Sequence, residues 1–302
     1  MANRHVFVLL IGNKERGEVN HFQLLQEDTA KTEGQRLGLE IEVAFAPGFD
    51  QLRTVKKRMA DGGSTVDAVV TEPANTSTMD LMLAELRGRS GLIILSAWGP
   101  SIEQAAAGWG EGLPMGSVST DHVRVGEIQG RQVTALVPSG GRVLYIAGPL
   151  RSSAAQQRLS GMKSQLGPAI RLEEISAGQW TESDGIVAFN DWYRVAKAHD
   201  PVVPVIAAGN DELALGARRA CEALAKAPHR EALLRARFLG VDACPTFGQK
   251  LIADKQLHAS VLTPANTGLA LGHLHRYWTQ GTPVPLRSFT EAQPFPASST
   301  AA

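Results

Sequence analysis

From Val6 onward, short apolar runs rich in β-branched residues alternate with helical runs almost without a break, and this alternation restricts the fold more than any other feature of the chain. Residues 6–11 read as a buried strand, 22–37 as a helix ended by Gly38, and 39–46 as the next strand. A helix over 50–60 stops at Gly62-Gly63, and strand 66–71, helix 78–86 and strand 92–96 follow. Such a series builds right-handed βαβ units around a parallel sheet with helices on both faces. After Ser119-Thr120-Asp121 it restarts, with helices expected over 125–136, 153–166, 182–198, 212–226, 246–253 and 267–279. The strands between them are expected over 142–146, 170–175, 202–208, 237–241 and 259–262. The tail from Pro294 is rich in Pro, Ser and Ala and is expected to fray.

The expected fold class is α/β, with two doubly wound parallel-sheet lobes. A length of 302 residues suits two domains, and 43% apolar residues suffice for packed cores. The 30 basic residues balance the 30 acidic ones and form no block. That argues against a nucleic-acid partner and against an anionic membrane surface. The apolar run at 6–11 is too short for a signal peptide or a membrane span, so no membrane insertion is expected. As written the chain reads as unexported and cytoplasmic, or as periplasmic if a leader was removed. Cys221 and Cys244 have no metal-ligand spacing and are placed apart on the sheet, so both read as structural thiols.

Catalytic signatures are missing. The chain has no G-x-S-x-G elbow and no H-E-x-x-H pair. Gly12 and Gly17 have the spacing of a phosphate loop, but Glu18 stands where a lysine should be, and a carboxylate repels phosphate. Gly108-Trp109-Gly110-Glu111-Gly112 follows no strand directly, which leaves a dinucleotide loop unsupported. His273 and His275 project about 200° apart on a helix and cannot share a ligand. Glu173 and Glu174 are expected to face solvent. The chain is therefore expected to be no enzyme, with no cofactor and no metal.

In doubly wound sheets ligands bind at the carboxyl ends of the strands. The loops there offer Asn20, Phe22, Glu72, Trp98, Asp121, Gln156, Trp180, Asn210, Asp242 and Thr263, a mixture of polar groups and aromatics. Such a surface suits a hydroxyl-rich molecule, because aromatic faces cover C–H patches while amides and carboxylates fix hydroxyls.

At these loops the sequence resembles the type 1 periplasmic binding proteins, whose fold is shared with LacI-type effector domains. Asn20-His21-Phe22 is similar to that family's Asn-Pro-Phe, and Ser119-Thr120-Asp121 with Gly126 to its S-D-N…G crossover. Ala154-Ala155-Gln156-Gln157-Arg158 with Gly161 is similar to A-A-R-x-R-x-x-G. The run 210–217 resembles N-D-E-M-A-L-G-A nearly residue for residue, and Gly240-Val241-Asp242 matches the following G-x-D. The resemblance implies a three-strand hinge with crossovers near Asp121, Pro264 and Pro285. Residues 1–121 and 264–284 would then form an N-terminal lobe, and 122–263 and 285–302 a C-terminal lobe.

It also implies ligand contacts at Asn20, Phe22, Gln156, Trp180, Asn210, Asp242 and Thr263. Trp98 joins them by position alone, because Ala97-Trp98 stands where ribose-like binders carry Asp-Arg. Gln156 replaces the family's first arginine and Thr263 its late glutamine, departures that soften the grip on sugar hydroxyls and leave room for a bulkier or less hydroxylated ligand. Asn20 reads as well as a helix cap, and Ser153 with Gln156 as a capping box. At 210–211 the cap is assigned to Asp211 and the ligand to Asn210. Asp121 is read as a hinge or cap.

The function expected from the resemblance is non-catalytic binding of a small polar ligand, a sugar or sugar-like molecule, by a clamp that closes on it. Its partner would be an ABC permease or a sensor kinase. The alternatives are a LacI-like regulator lacking its own DNA-binding segment and an α/β hydrolase.

Overall fold

A computed structural model describes residues 4–61, 65–224 and 229–300. The expected stop at Gly62-Gly63 and the end of the helix expected over 212–226 lie outside the described residues. The chain opens with β1 (His5–Ile11), α1 (His21–Leu37), β2 (Glu40–Ala46), α2 (Asp50–Ala60), β3 (Ala68–Thr71), α3 (Thr76–Leu86), β4 (Gly91–Leu95), α4 (Pro100–Ala106) and β5 (Met115–Thr120). It continues with α5 (His122–Leu136), β6 (Gly141–Ala147), α6 (Ser153–Ser164), β7 (Ile170–Ser176), α7 (Glu182–Ala196), β8 (Val205–Ala208) and α8 (Asp211–Ala223). Then come α9 (Arg230–Leu234), β9 (Arg237–Leu239), α10 (Gly248–Ala253), β10 (Ser260–Leu262), α11 (Asn266–Gln280), β11 (Arg287–Thr290), β12 (Gln293–Phe295) and a 3-10 turn at Ala297–Thr300.

Two compact units divide the chain, Met1–Thr120 with Ala265–Thr290 and Asp121–Pro264 with Glu291–Ala302. The third crossover differs from the expectation near Pro285. Strand β11 pairs in parallel with β5, from Arg287 beside Ser117 to Thr290 beside Thr120, so residues 287–290 complete the first sheet.

The first unit is a six-stranded sheet in the order β11-β5-β4-β3-β1-β2, parallel throughout. Its central strands are buried on both faces, which is why they read as continuous apolar runs. Alternate residues serve opposite cores. Phe7, Leu9, Val69 and Ile94 pack with α2, α3 and α4. Val8, Leu10, Val70 and Ile93 pack with residues of α1 and α11. Helix α11 is locked to α1 by Thr267, whose N–H and hydroxyl donate to the side-chain and main-chain oxygens of Gln26.

The second unit is a parallel sheet in the order β7-β6-β8-β9. Isolated bridges, Leu239 to Ala259 and Asp242 to Leu262, tie the β10 region beside β9. Helices α7 and α8 cover Leu144, Ile146, Ile206 and Phe238, while α5 and α6 cover Val143, Tyr145, Val205 and Leu239. Both helix pairs approach backbone to backbone. A Cβ on Gly126 would lie 2.0 Å from the Arg158 carbonyl, and one on Gly216 2.1 Å from that of Glu182.

Several elements differ from the sequence reading. Strand β5, Met-Gly-Ser-Val-Ser-Thr, has no apolar signature although every residue is buried. Its hydroxyls find local acceptors instead, such as the Ala97 carbonyl for Ser117. Helices α4 and α9 and strands β11 and β12 also fall outside the expected elements. The tail does not fray over its described part, because β12 pairs antiparallel with β10 and Ser299 accepts from Gln132. Glu173 does not simply face solvent either, since it accepts from Arg142 and from the Trp192 indole. Cys221 and Cys244 are free and buried, and burial pushes both thiol pKa values up, that of Cys221 to about 12. Among the described residues no helix is long and apolar enough to cross a membrane.

Candidate ligand-binding site

In each sheet the strand order reverses at one point, and there the loops following two adjacent strands part and open a crevice. In the first unit that point lies between β1 and β3. The loop after β1 turns back on itself through a bridge from Asn13 to Glu18. Asn20 then caps α1, its side chain accepting from the Gln23 N–H at 2.9 Å. Gln23, in the first turn, donates to Glu72 just past β3 at 2.7 Å, so this hydrogen bond links the segments that follow β1 and β3. Gln51 holds the same loop by donating to the Glu72 carbonyl and accepting from the Ala74 N–H. Phe22 is half-buried. Past β4, Ser96 adopts φ 58° and accepts from Asn266 at 3.1 Å. Trp98 is half-buried, with the Arg287 guanidinium 5.3 Å from its ring centroid.

In the second unit the reversal lies between β6 and β8. Gly148 follows β6, Gly209 follows β8, and the Trp180 indole lies over both. A Cβ on Gly148 would meet three atoms of its six-membered ring at 2.2–2.5 Å, and one on Gly209 would meet Cζ3 at 2.9 Å. Asn210 donates to the Trp180 carbonyl at 3.0 Å and fixes that loop. Arg158, on α6, places its guanidinium 5.3 Å from the indole centroid and donates to the Gly209 carbonyl at 2.5 Å. The same guanidinium lies 3.5 Å from Asp242 Oδ1, which also accepts from the Thr263 hydroxyl at 3.2 Å. Arg158, Asn210, Asp242 and Thr263 are all buried.

The electrostatics follow from that burial. Asp242 is pushed up to about 6, mainly because a carboxylate loses its hydration there and secondarily by nearby Glu212, while Arg158 and Thr263 oppose the rise. Asp211 is raised well above the ordinary carboxyl value by burial and by Asp242. Its carboxyl accepts from the Ser260 hydroxyl and from the Ala243 N–H. His122, beside Arg158, is lowered to about 3 by burial and by that cation, and stays neutral. Asp242 and Ala243 have φ of 103° and 44°, conformations that cost of order 1–3 kcal/mol in a non-glycine residue. Among the described residues no group of three His, Cys, Asp or Glu is arranged to hold a metal ion.

Of the residues singled out from the sequence, Trp180, Asn210, Asp242 and Thr263 come together in the second unit. Asn20, Phe22 and Trp98 lie on strand-end loops or the first turn of the first unit. Gln156 does not join either group; it is exposed and donates to the Leu150 carbonyl. The capping box at Ser153 is replaced by a cap at Ser152, which accepts from the Ala155 N–H. Asn210, not Asp211, is the cap of α8, accepting from the Leu213 N–H at 2.9 Å. Asp121 caps α5. Arg158 and Gln23 were not singled out. Elsewhere, a cleft of about 510 Å³ opens between the Trp109 loop, Tyr277 and Pro283, at the amino ends of β5 and β11.

Fold and site define a doubly wound, two-unit binding protein. The chain belongs to the periplasmic binding protein domain family, whose model matches residues 27–267. It is 28% identical over 151 residues to the ribose import binding protein RbsB of Escherichia coli (strain K12), covering 50% of this chain and 47% of that one. The match thus spans about half the length of that curated relative. A solute-binding protein of an ABC transporter from Actinobacillus succinogenes 130z, solved with D-allose, superposes with TM-score 0.77 at 17% identity, covering 99% of each chain. A galactofuranose-binding protein superposes with TM-score 0.78 at 20% identity, over 98% of this chain and 96% of that one. At these identities the likeness shows the fold.

Proposed function

We propose that the chain is a non-catalytic receptor for a small polar ligand, a sugar or sugar-like polyol, which it presents to an ABC permease or a signalling partner. The observation that carries this reading is the second unit's reversal point, where a backbone-supported indole stands beside a buried Arg158–Asp242 pair and the Asn210 amide. An indole face covers C–H surface, while the carboxylate accepts from hydroxyls and the guanidinium donates to them; the Asn210 amide, which donates to the Trp180 carbonyl and to Glu212, holds the indole loop in place. The names of the relatives, which speak of ribose, allose and galactofuranose, support that ligand class. A binding role also agrees with the chemistry of the pair: Asp242 faces a guanidinium and His122 is neutral and hydrogen-bonded to Arg158, so neither forms a nucleophile–base couple.

Thermal unfolding against pentoses, hexoses, cyclitols and small aromatic compounds tests the reading. A ligand at 100 times its Kd adds about 2.7 kcal/mol, a rise of several degrees for a domain of this size. A rise with a sugar or cyclitol that disappears in Asp242→Asn is the expected result. Silence across the panel refutes the function, and a rise with an aromatic compound alone refutes the ligand class.

A further inference from the structure

The sequence carries glycine at both positions under the Trp180 indole, and the backbone gives no reason for it. Neither Gly148 nor Gly209 has a φ in the left-handed region, so any residue could take these conformations. What excludes a side chain is the indole. At Gly148 a Cβ would fall 2.2, 2.4 and 2.5 Å from Cη2, Cζ3 and Cζ2, nearly equidistant from three ring atoms and therefore over the ring face. At Gly209 the indole and the Gly148 N–H, at 2.9 and 3.1 Å, are the closest neighbours.

The ring is held down by other groups as well. Asn210 grips the Trp180 carbonyl, and the Arg158 guanidinium lies 5.3 Å from the indole centroid while donating to the Gly209 carbonyl. Trp180, in a loop at the carboxyl ends of the strands, nonetheless remains only half-buried.

We infer that Gly148, seconded by Gly209, is a specificity-determining position: by letting the indole sink onto the backbone, it sets how deep the ligand site is and hence how thick a ring the site accepts. The inference rests on the proposed function, because it takes the exposed part of Trp180 as the ligand's platform. A methyl at 148 forces the indole to retreat by about 1.2 Å to restore an ordinary contact of 3.4 Å. With backbone on that face, the ring can relieve the contact only by moving away from Gly148. A six-membered polyol stacked there loses space, whereas a three-carbon polyol does not.

The test compares wild type, Gly148→Ala, Trp180→Phe and the double variant Gly148→Ala/Trp180→Phe by calorimetric titration with D-ribose, D-allose, myo-inositol and glycerol. Tryptophan emission of the unliganded proteins is recorded alongside. Phenylalanine lacks the outer ring atoms that the new methyl would strike. The expected result is a loss of about tenfold or more in Gly148→Ala for whichever cyclic ligand wild type binds, with a smaller loss for glycerol. The Trp180 component of the emission, taken as the difference from the matching Trp180→Phe variant, moves to longer wavelength. The double variant recovers affinity relative to Gly148→Ala. Wild-type affinity and unchanged emission in Gly148→Ala overturn the inference and leave the proposed function standing. A double variant as weak as Gly148→Ala also overturns it, because the damage then does not pass through the indole. If wild type binds none of the four ligands, the sugar reading falls and the inference falls with it.

Discussion

Asp242 makes the empty protein less stable at neutral pH, and removing its charge should show by how much. Its carboxyl titrates near 6 in the fold against an ordinary 3.8. Below 3.8 the group is protonated in both folded and unfolded chains and contributes no difference. Between 3.8 and about 6 the folded chain binds more protons than the unfolded one, so stability falls as pH rises. Above 6 the full difference is present, about 3 kcal/mol at 1.36 kcal/mol per pH unit. The rise already contains the opposing attraction of Arg158, so burial outweighs pairing at this site. Asp242→Asn keeps the shape and loses the charge. It should match wild type near pH 4 and exceed it by up to about 3 kcal/mol at pH 8, roughly 6–12 °C in Tm for a domain of this size. The gain is an upper value, because Arg158 then keeps the Gly209 carbonyl but loses its ionic partner. Urea unfolding at half-unit steps from pH 4 to 8 reads the difference between the two proteins, following the transition of the second unit. A difference that stays flat, or that shrinks as pH rises, refutes the reasoning.

Other expectations follow from single contacts. Thr263→Val removes the 3.2 Å hydrogen bond to Asp242 and should weaken ligand binding by about 1 kcal/mol, as read by calorimetric titration. Gly216→Ala places a methyl 2.1 Å from the Glu182 carbonyl between α7 and α8, and should cost about 1–3 kcal/mol in urea unfolding of the second unit. Deleting residues 291–302 removes β12 and the Ser299 contact, and should lower the second unit's unfolding midpoint while leaving that of the first unchanged. Cys221 and Cys244, both buried with raised pKa values, should react with a thiol reagent only at the rate of opening, and become reactive in denaturant.

Much of this architecture is legible in the sequence where burial is two-sided, because such strands are written as unbroken β-branched runs. It is not legible in β5, β11 and β12. Strands β11 and β12 are short and edge-lying, whereas β5 is an interior strand whose buried serines and threonine break the apolar run, and hydroxyl contacts are announced by no periodicity. The site shows a subtler failure. Gln156 and Arg158 sit two apart on α6 and so point about 200° apart, and only one can face the sheet. The resemblance favoured 156, yet the buried face of α6 is Ala155, Arg158, Gly161 and Met162. That spacing of three, three and one is a helical stripe, and Arg158 lies on it while Gln156 does not. The cap falls on Asn210 rather than on Asp211 for a comparable reason. Either residue type can cap a helix, and the choice depends on φ and ψ, extended at Asn210, which no side-chain type encodes.

The fold alone gives no reason for an aspartate at 242. The position combines a buried carboxyl of raised pKa with a φ of 103°, and each is unfavourable in its own right. Glycine takes that φ without strain, and it also removes the carboxyl. Asp242→Gly therefore separates the two costs when set beside Asp242→Asn. The asparagine variant relieves charge only, whereas the glycine variant relieves charge and backbone strain but loses chain entropy and the Thr263 contact. If Asp242→Gly is at least as stable as Asp242→Asn at pH 8 while both fail to bind ligand, the aspartate is retained against the interest of the fold, and binding is the reason for it. If Asp242→Gly is markedly less stable than both wild type and Asp242→Asn, the side chain instead holds the β9 and β10 ends together through Thr263, and its placement needs no ligand to explain it.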